Sequence, residues 1–194
     1  NIDLVLAKER EIKVINTPTA NTVSAAELAV AFILMGCRRI PEVLDAVANG
    51  DFRRSIYEGS ELKTKKIGLL GIGNVGITVF KLIRQFGCVV YGYDPYSANK
   101  NEFFEFGGIL LNDFKEFVST IDVLSLHANL SEGNVHVLDK DAFSLMKKGS
   151  ILINTARAQL IDDEALIEAL DDGTVGYALL DLLFPEPPYD TAPE

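Results

Sequence analysis

Three glycines and one aspartate carry the first chemical signal in this chain. Gly71, Gly73 and Gly76 lie in Lys66-Ile67-Gly68-Leu69-Leu70-Gly71-Ile72-Gly73-Asn74-Val75-Gly76, a short apolar run that turns into a helical pattern. In a strand–turn–helix unit the first glycine permits the tight turn. The second lets a diphosphate approach the main chain, and the third lets the helix pack against the strand. Free N–H groups and the positive end of the helix dipole then face the phosphates. Asp94 ends the next apolar run, eighteen residues past Gly76. That is close to the ~20 residues at which a carboxylate meets the adenine-ribose hydroxyls and repels a 2′-phosphate, which favours NAD over NADP. The plain alternative is a turn at Asp94-Pro95, and flavin and S-adenosylmethionine sites share this fold.

The elements that would position these residues follow from hydrophobic patterning. A short strand is expected over residues 12–16, then a buried helix through Ala25–Cys37 and an amphipathic helix around Pro41–Ala48, with Pro41 in its first turn. Residues 49–64 are polar and irregular. Beyond Lys65, apolar strand-like runs at 67–70, 89–93, 109–111, 123–126, 151–154 and 175–180 alternate with helical patterns at 75–86, 100–106, 114–120, 140–146 and 163–170. Such alternation means right-handed βαβ crossovers and a parallel sheet covered on both faces. The expectation is a Rossmann-type, doubly wound α/β domain.

Composition narrows the function classes. With 48% hydrophobic and 24% charged residues, wholesale disorder is excluded. The formal charge of −10, from 28 acidic and 18 basic residues, argues against a nucleic-acid partner gripped through its phosphates. The longest apolar stretch, Leu28 to Cys37, is far short of the ~20 residues that span a bilayer, so no membrane association is expected. Cys37 and Cys88 have apolar surroundings and no CxxC partner. They read as reduced core thiols rather than a disulfide or a metal pair, which points to the cytoplasm and to no metal site.

Taken in order, these segments resemble the D-isomer-specific 2-hydroxyacid dehydrogenases, a family that includes D-lactate, phosphoglycerate and glycerate dehydrogenases. The resemblance runs through Asn1-Ile2-Asp3, Ala7-Lys8-Glu9-Arg10, Val14-Ile15-Asn16-Thr17-Pro18 and Val23-Ser24-Ala25-Ala26-Glu27. It continues through Phe86-Gly87-Cys88-Val89-Val90, Asp94-Pro95-Tyr96 and Asp122-Val123-Leu124-Ser125-Leu126-His127. Met146-Lys147-Lys148-Gly149, Asn154-Thr155-Ala156-Arg157, Asp162-Asp163-Glu164-Ala165-Leu166 and Asp181 with Pro185-Glu186-Pro187 complete it. The resemblance implies that residues 1–23 are a remnant of a substrate domain with its hinge. Residues 24–194 would be the NAD-binding domain, including an inter-domain helix through which two copies form a homodimer.

Two catalytic residues are implied in the same way. Arg157 would clamp the carboxylate and carbonyl of a 2-oxo acid, a task its planar fork suits. Glu186, twenty-nine residues on, would pair with an acid/base histidine and raise its pKa. For NAD, the resemblance implies Asn74 and Val75 at the diphosphate, beside Gly71, Gly73 and Gly76. His127, Ala128 and Asn129 would lie beneath the adenosine half, with Asn134 in the following loop. Thr155 and Ala156 would present backbone to the nicotinamide ribose, and Asp181 would bind the carboxamide. The implied activity is reversible reduction of a 2-oxo acid to the (R)-2-hydroxy acid with NADH. The alternative is a non-catalytic NAD(H)-sensing module of the corepressor type.

Three departures from the pattern stand out. Both histidines, His127 and His136, precede Arg157, so neither fits the acid/base position, and the chain reads as a piece of a longer enzyme. Ala158 replaces the glycine that usually follows the arginine, which would strain the loop if that residue needed a positive φ. Asn129 replaces a customary proline near the adenosine.

Overall fold

The computed structural model describes residues 2–17 and 19–183. Six strands form one parallel sheet: β1 (Lys66–Leu70), β2 (Val89–Tyr93), β3 (Ile109–Leu110), β4 (Val123–Leu126), β5 (Ser150–Asn154) and β6 (Val175–Leu180). Their spatial order is β3-β2-β1-β4-β5-β6, which is the doubly wound order. The chain therefore reverses direction across the sheet between β1 and β4. In open sheets of this kind, ligands bind beyond the carboxyl ends of the strands at that reversal.

Helices α4 (Asn74–Ile83), α5 (Lys100–Glu105), α6 (Phe114–Thr120), α7 (Lys140–Leu145) and α8 (Asp163–Asp171) connect the strands. An N-terminal arm precedes them, with α1 (Leu4–Glu9), α2 (Thr22–Arg38) and α3 (Ile40–Ala48). Every residue of β4 and β5 is buried, because helices cover both faces. Side chains along each strand divide between two cores in the two-residue period of a pleat. Ile67, Leu69, Val123, Ile151 and Ile153 pack with α2 and α4, whereas Leu70, Leu124, Leu126 and Leu152 pack with α6, α7 and α8.

Helix α2 lies against the sheet because Gly36 lacks a side chain. A Cβ there would sit 2.8 Å from Ile151 and 3.1 Å from Leu179. Ala26, Ala29, Ile33 and Cys37 are buried on the same face. Arg39, in the left-handed region at φ 53°, forms the joint to α3. Its guanidinium donates to the Tyr177 hydroxyl at 3.0 Å and the Ile56 carbonyl at 2.9 Å, which ties the arm to β6.

The strand and helix pattern after Lys65 agrees with expectation to within three residues at every end, the chief change being that Arg84–Phe86 closes the 75–86 helical pattern as a 3-10 turn. The arm requires a correction. No strand forms at residues 12–16, which carry no regular element; the arm opens instead with α1, capped by Asp3, whose carboxylate accepts from the amides of Val5 at 2.9 Å and Leu6 at 3.0 Å. Ile12 and Ile15 are exposed, so the β-branched residues of that segment bury nothing and pair with no strand. Both cysteines are free thiols, and burial pushes the Cys37 pKa up to about 11. Among the described residues, no helix is long and apolar enough to cross a membrane and no cluster of three metal-ligating side chains exists.

Candidate functional site

The carboxyl ends of β1 and β4 meet at the glycine turn. Gly71 donates its N–H to the Tyr93 carbonyl of β2 at 2.9 Å, and His127 donates to the Leu70 carbonyl of β1 at 2.7 Å. Gly71 takes φ 93°, and a Cβ on it would lie 2.6 Å from the Ala128 nitrogen. A Cβ on Gly76 would lie 2.1 Å from the Gly71 carbonyl oxygen. Both glycines are fixed by backbone packing. Gly73 differs: nothing lies within 4 Å of where its Cβ would be. The space that a side chain would occupy there is open.

That space faces the start of α4. Gly73 is the residue before the helix, no side chain caps the first turn, and no acidic residue lies in it. The amides of Asn74 and Val75 thus belong to a positive helix end with no side chain competing for them. An anion placed over Gly73 would meet those amides directly.

Asp94 follows the last residue of β2 and turns back toward the glycines. Its Oδ2 accepts from the Ile72 amide at 2.9 Å and its Oδ1 from the Tyr96 amide at 2.9 Å. The two bonds fix the carboxylate in one orientation. Each oxygen keeps lone-pair capacity for a further donor, as a sugar diol requires.

His127 and Ala128 close the floor of the crevice. The His127 Nε2 lies 2.9 Å from the Ser125 hydroxyl, whereas its Nδ1 is buried with no partner among the described residues. Burial lowers the His127 pKa from 6.5 to about 4, so the ring is neutral at physiological pH. Asn129 is exposed and accepts, through its carbonyl, from the Asn134 side chain at 2.7 Å. Asn134 also accepts from the Ser131 amide at 2.7 Å, so its side chain shapes the loop after β4.

At the other end of the crevice, Asn154 is fully buried at the end of β5. Its side-chain amide donates to the Arg157 carbonyl at 2.8 Å, and its Oδ1 accepts from the Ala156 amide at 3.0 Å. Its main-chain carbonyl accepts from the Asp181 amide at 3.0 Å. Asn154 thereby ties Ala156, Arg157 and Asp181 together, a role not evident from a polar residue ending an apolar strand. Thr155 Oγ1 is buried and has no hydrogen-bond partner among the described residues. The Arg157 side chain is exposed and, among the described residues, bonds only within its own loop, donating to the Ala156 carbonyl at 2.6 Å. Ala158 is not in the left-handed region; it starts a 3-10 turn over Ala158–Leu160, so the substitution for glycine introduces no backbone strain.

Glu186 lies outside the described residues. His136 is exposed at φ 52°, with its Nδ1 3.8 Å from Asp162, and belongs to the loop before α7. Two expected motifs serve the far end of the sheet instead of the crevice. Asp122 accepts from the Lys66 amide at 2.8 Å and from the Lys147 ammonium at 2.7 Å, joining β1 to the turn before β5.

An open glycine, an uncapped helix end and a fixed carboxylate at the chain reversal define a dinucleotide-binding α/β domain, and the residues present fit NAD. Residues 30–193 match the family described as D-isomer specific 2-hydroxyacid dehydrogenase, NAD binding domain, and the chain belongs to that family. It is 38% identical over 191 residues to D-3-phosphoglycerate dehydrogenase of Methanocaldococcus jannaschii, covering 98% of this chain and 36% of that protein. To hydroxypyruvate reductase of Thermotoga maritima it is 37% identical, covering 98% of this chain and 60% of the relative. The chain thus spans between about a third and three fifths of these relatives. Among solved structures, D-lactate dehydrogenase from Aquifex aeolicus, complexed with NAD and lactic acid, superposes with a TM-score of 0.86 at 31% identity. That match covers 95% of this chain and 55% of the other. A D-lactate dehydrogenase from Treponema pallidum gives a TM-score of 0.87 at 31% identity, covering 98% and 57%.

Proposed function

We propose that the whole enzyme containing this domain reversibly reduces a 2-oxo acid to the (R)-2-hydroxy acid. The observation that carries this is the exposed Arg157 at the end of β5, held by Asn154 on the same rim as the glycine turn. Bound NAD supplies hydride transfer at its nicotinamide. Gly73 and the amides of Asn74 and Val75 hold the diphosphate, and Asp94 takes the adenine-ribose hydroxyls. Ala128 and the carbon face of His127 lie beneath the adenosine. Thr155, Ala156 and Asp181 line the nicotinamide end, where the buried Thr155 hydroxyl gains a partner.

Arg157 grips the substrate carboxylate and draws electron density from the carbonyl as hydride arrives. His127 delivers no proton, because burial keeps its ring neutral until about pH 4 and its Nε2 is engaged by Ser125. The acid/base group therefore lies outside the histidines of this chain, and Glu186 serves to pair with it. Residues 1–23 belong with the substrate domain and residues 24–194 with the NAD-binding domain.

Two copies pair through the arm. Helix α2 spends its apolar face on its own sheet, so exposed apolar surface lies one helix further on. Leu44, Val47 and Phe52 are 64%, 49% and 73% exposed beside two grooves of about 430 and 600 Å³ between α3 and residues 51–61. Such a surface suits a second copy of the same chain. The free thiols support a reducing compartment, the cytoplasm.

Steady-state assays of the whole enzyme against a panel of 2-oxo acids with NADH test the reading. Turnover of one of them, lost in Arg157→Ala, is expected. Tight NADH binding without turnover of any 2-oxo acid would instead favour a sensing module.

A further inference from the structure

The peptide between Ile72 and Gly73 is gripped from the loop after β2. Ile72 is completely buried, and its carbonyl accepts from the Ser97 hydroxyl at 2.9 Å and from the Asn99 side-chain amide at 3.0 Å. Ser97 Oγ in turn accepts from the Asn99 main-chain N–H at 3.0 Å, which fixes the hydroxyl within the loop. The preceding peptide is held through the Ile72 N–H, which Asp94 accepts. One residue at the centre of the glycine turn thus has both of its backbone polar groups bonded to a single loop, residues 94–99.

A trans peptide is planar, so its C=O and the following N–H point in opposite directions. Holding the Ile72 carbonyl toward the 94–99 loop aims the Gly73 N–H away from that loop. Gly73 on its C-terminal side admits the positive φ that a flip of this peptide would require, so intrinsic resistance to flipping is low. Without the two donors, a buried carbonyl would lack partners and the flipped orientation would become accessible.

We propose that Ser97 and Asn99 are positioning residues for the cofactor, which aim the Gly73 N–H and the first amides of α4 at the diphosphate. The proposal rests on the assignment of this turn to NAD. It separates two duties of the 94–99 loop: Asp94 recognises the sugar and braces the turn, whereas Ser97 and Asn99 act on the phosphates alone.

Calorimetric titration of the 194-residue chain with NADH, ADP and adenosine tests this. In the Ser97→Ala/Asn99→Ala variant, NADH and ADP are expected to bind about tenfold more weakly, a loss of about 1.4 kcal/mol, while adenosine is unaffected. Hydrogen exchange should quicken at the amides of residues 73–75 before the strands open. Ser97→Thr, which keeps the hydroxyl, should bind ADP as the wild type does, and Ser97→Ala alone should show part of the loss should the double variant fold poorly. Unchanged ADP affinity, or an equal loss for adenosine, overturns the proposal while leaving the NAD assignment intact. A wild-type chain that binds no NADH overturns both.

Discussion

At the end of the crevice built by β1 and β2, main-chain and side-chain groups are bonded to one another before any ligand arrives. Ile72 is held at both its N–H and its C=O, and Asp94 is fixed through both oxygens. At the end built by β5 and β6, only the backbone is braced. Asn154 holds the loop, while the Arg157 side chain lies exposed and the buried Thr155 hydroxyl has no partner among the described residues. On the proposed function, the contrast follows from what each end must do. A diphosphate and a sugar diol present the same atoms every time, so a rigid, preformed backbone site costs little on binding. Charge that develops only during a reaction needs side chains able to engage it then.

The contrast breaks most sharply at Gly76. Gly76→Ala would force a Cβ to within 2.1 Å of the Gly71 carbonyl, and backbone cannot yield as a side-chain tip can. A loss of about 3 kcal/mol or more, or failure to fold, is expected in denaturant titration. His127, under the turn, should reveal itself through pH. Its pKa is about 4 in the folded state, against 6.5 unfolded. Protonation below pH 6.5 therefore favours the unfolded chain. Stability present above pH 6.5 is lost as pH falls to about 4, by about 3 kcal/mol. His127→Gln should flatten that part of the profile, as urea midpoints measured between those limits would show.

At the opposite end, Arg157→Ala should leave the urea midpoint and NADH affinity of the whole enzyme near wild type. Its kcat/KM for the 2-oxo acid should fall by about a hundredfold or more. A comparable loss of NADH binding would mean that Arg157 belongs to the cofactor site. The smallest effect is expected at Ala158. Because this residue has no positive φ, Ala158→Gly should relieve nothing and cost about 0.5–1 kcal/mol in unfolded-state entropy. A stabilised variant would show the loop to be strained.

The sequence was most legible where one physical rule decided the structure. Continuous apolar runs marked β4 and β5 because both faces of those strands are covered, and the glycine triplet marked the turn because two of its members admit no side chain. Legibility failed where partners lie far apart in sequence or alternate in role. Residues 12–16 are rich in β-branched residues like a strand but have no neighbouring strand to join. Ser97 and Asn99 look like ordinary turn residues until the fold places them against Ile72, and Asn154 looks like a strand end until its three bonds are seen. Gly73 carries the same letter as Gly71 and Gly76; its place as second glycine of the motif implied a ligand-facing role, and the structure leaves open space where its Cβ would be.

That last distinction gives the most direct measurement. Gly73→Ala places a methyl group in open space at φ −68°, where alanine is unstrained, so its thermal melt should match the wild type. Calorimetry should show NADH bound by the wild-type chain in preference to NADPH, and bound by Gly73→Ala at least about tenfold more weakly. A Gly73→Ala chain that binds NADH as tightly as the wild type would contradict the claim that the diphosphate rests on this turn.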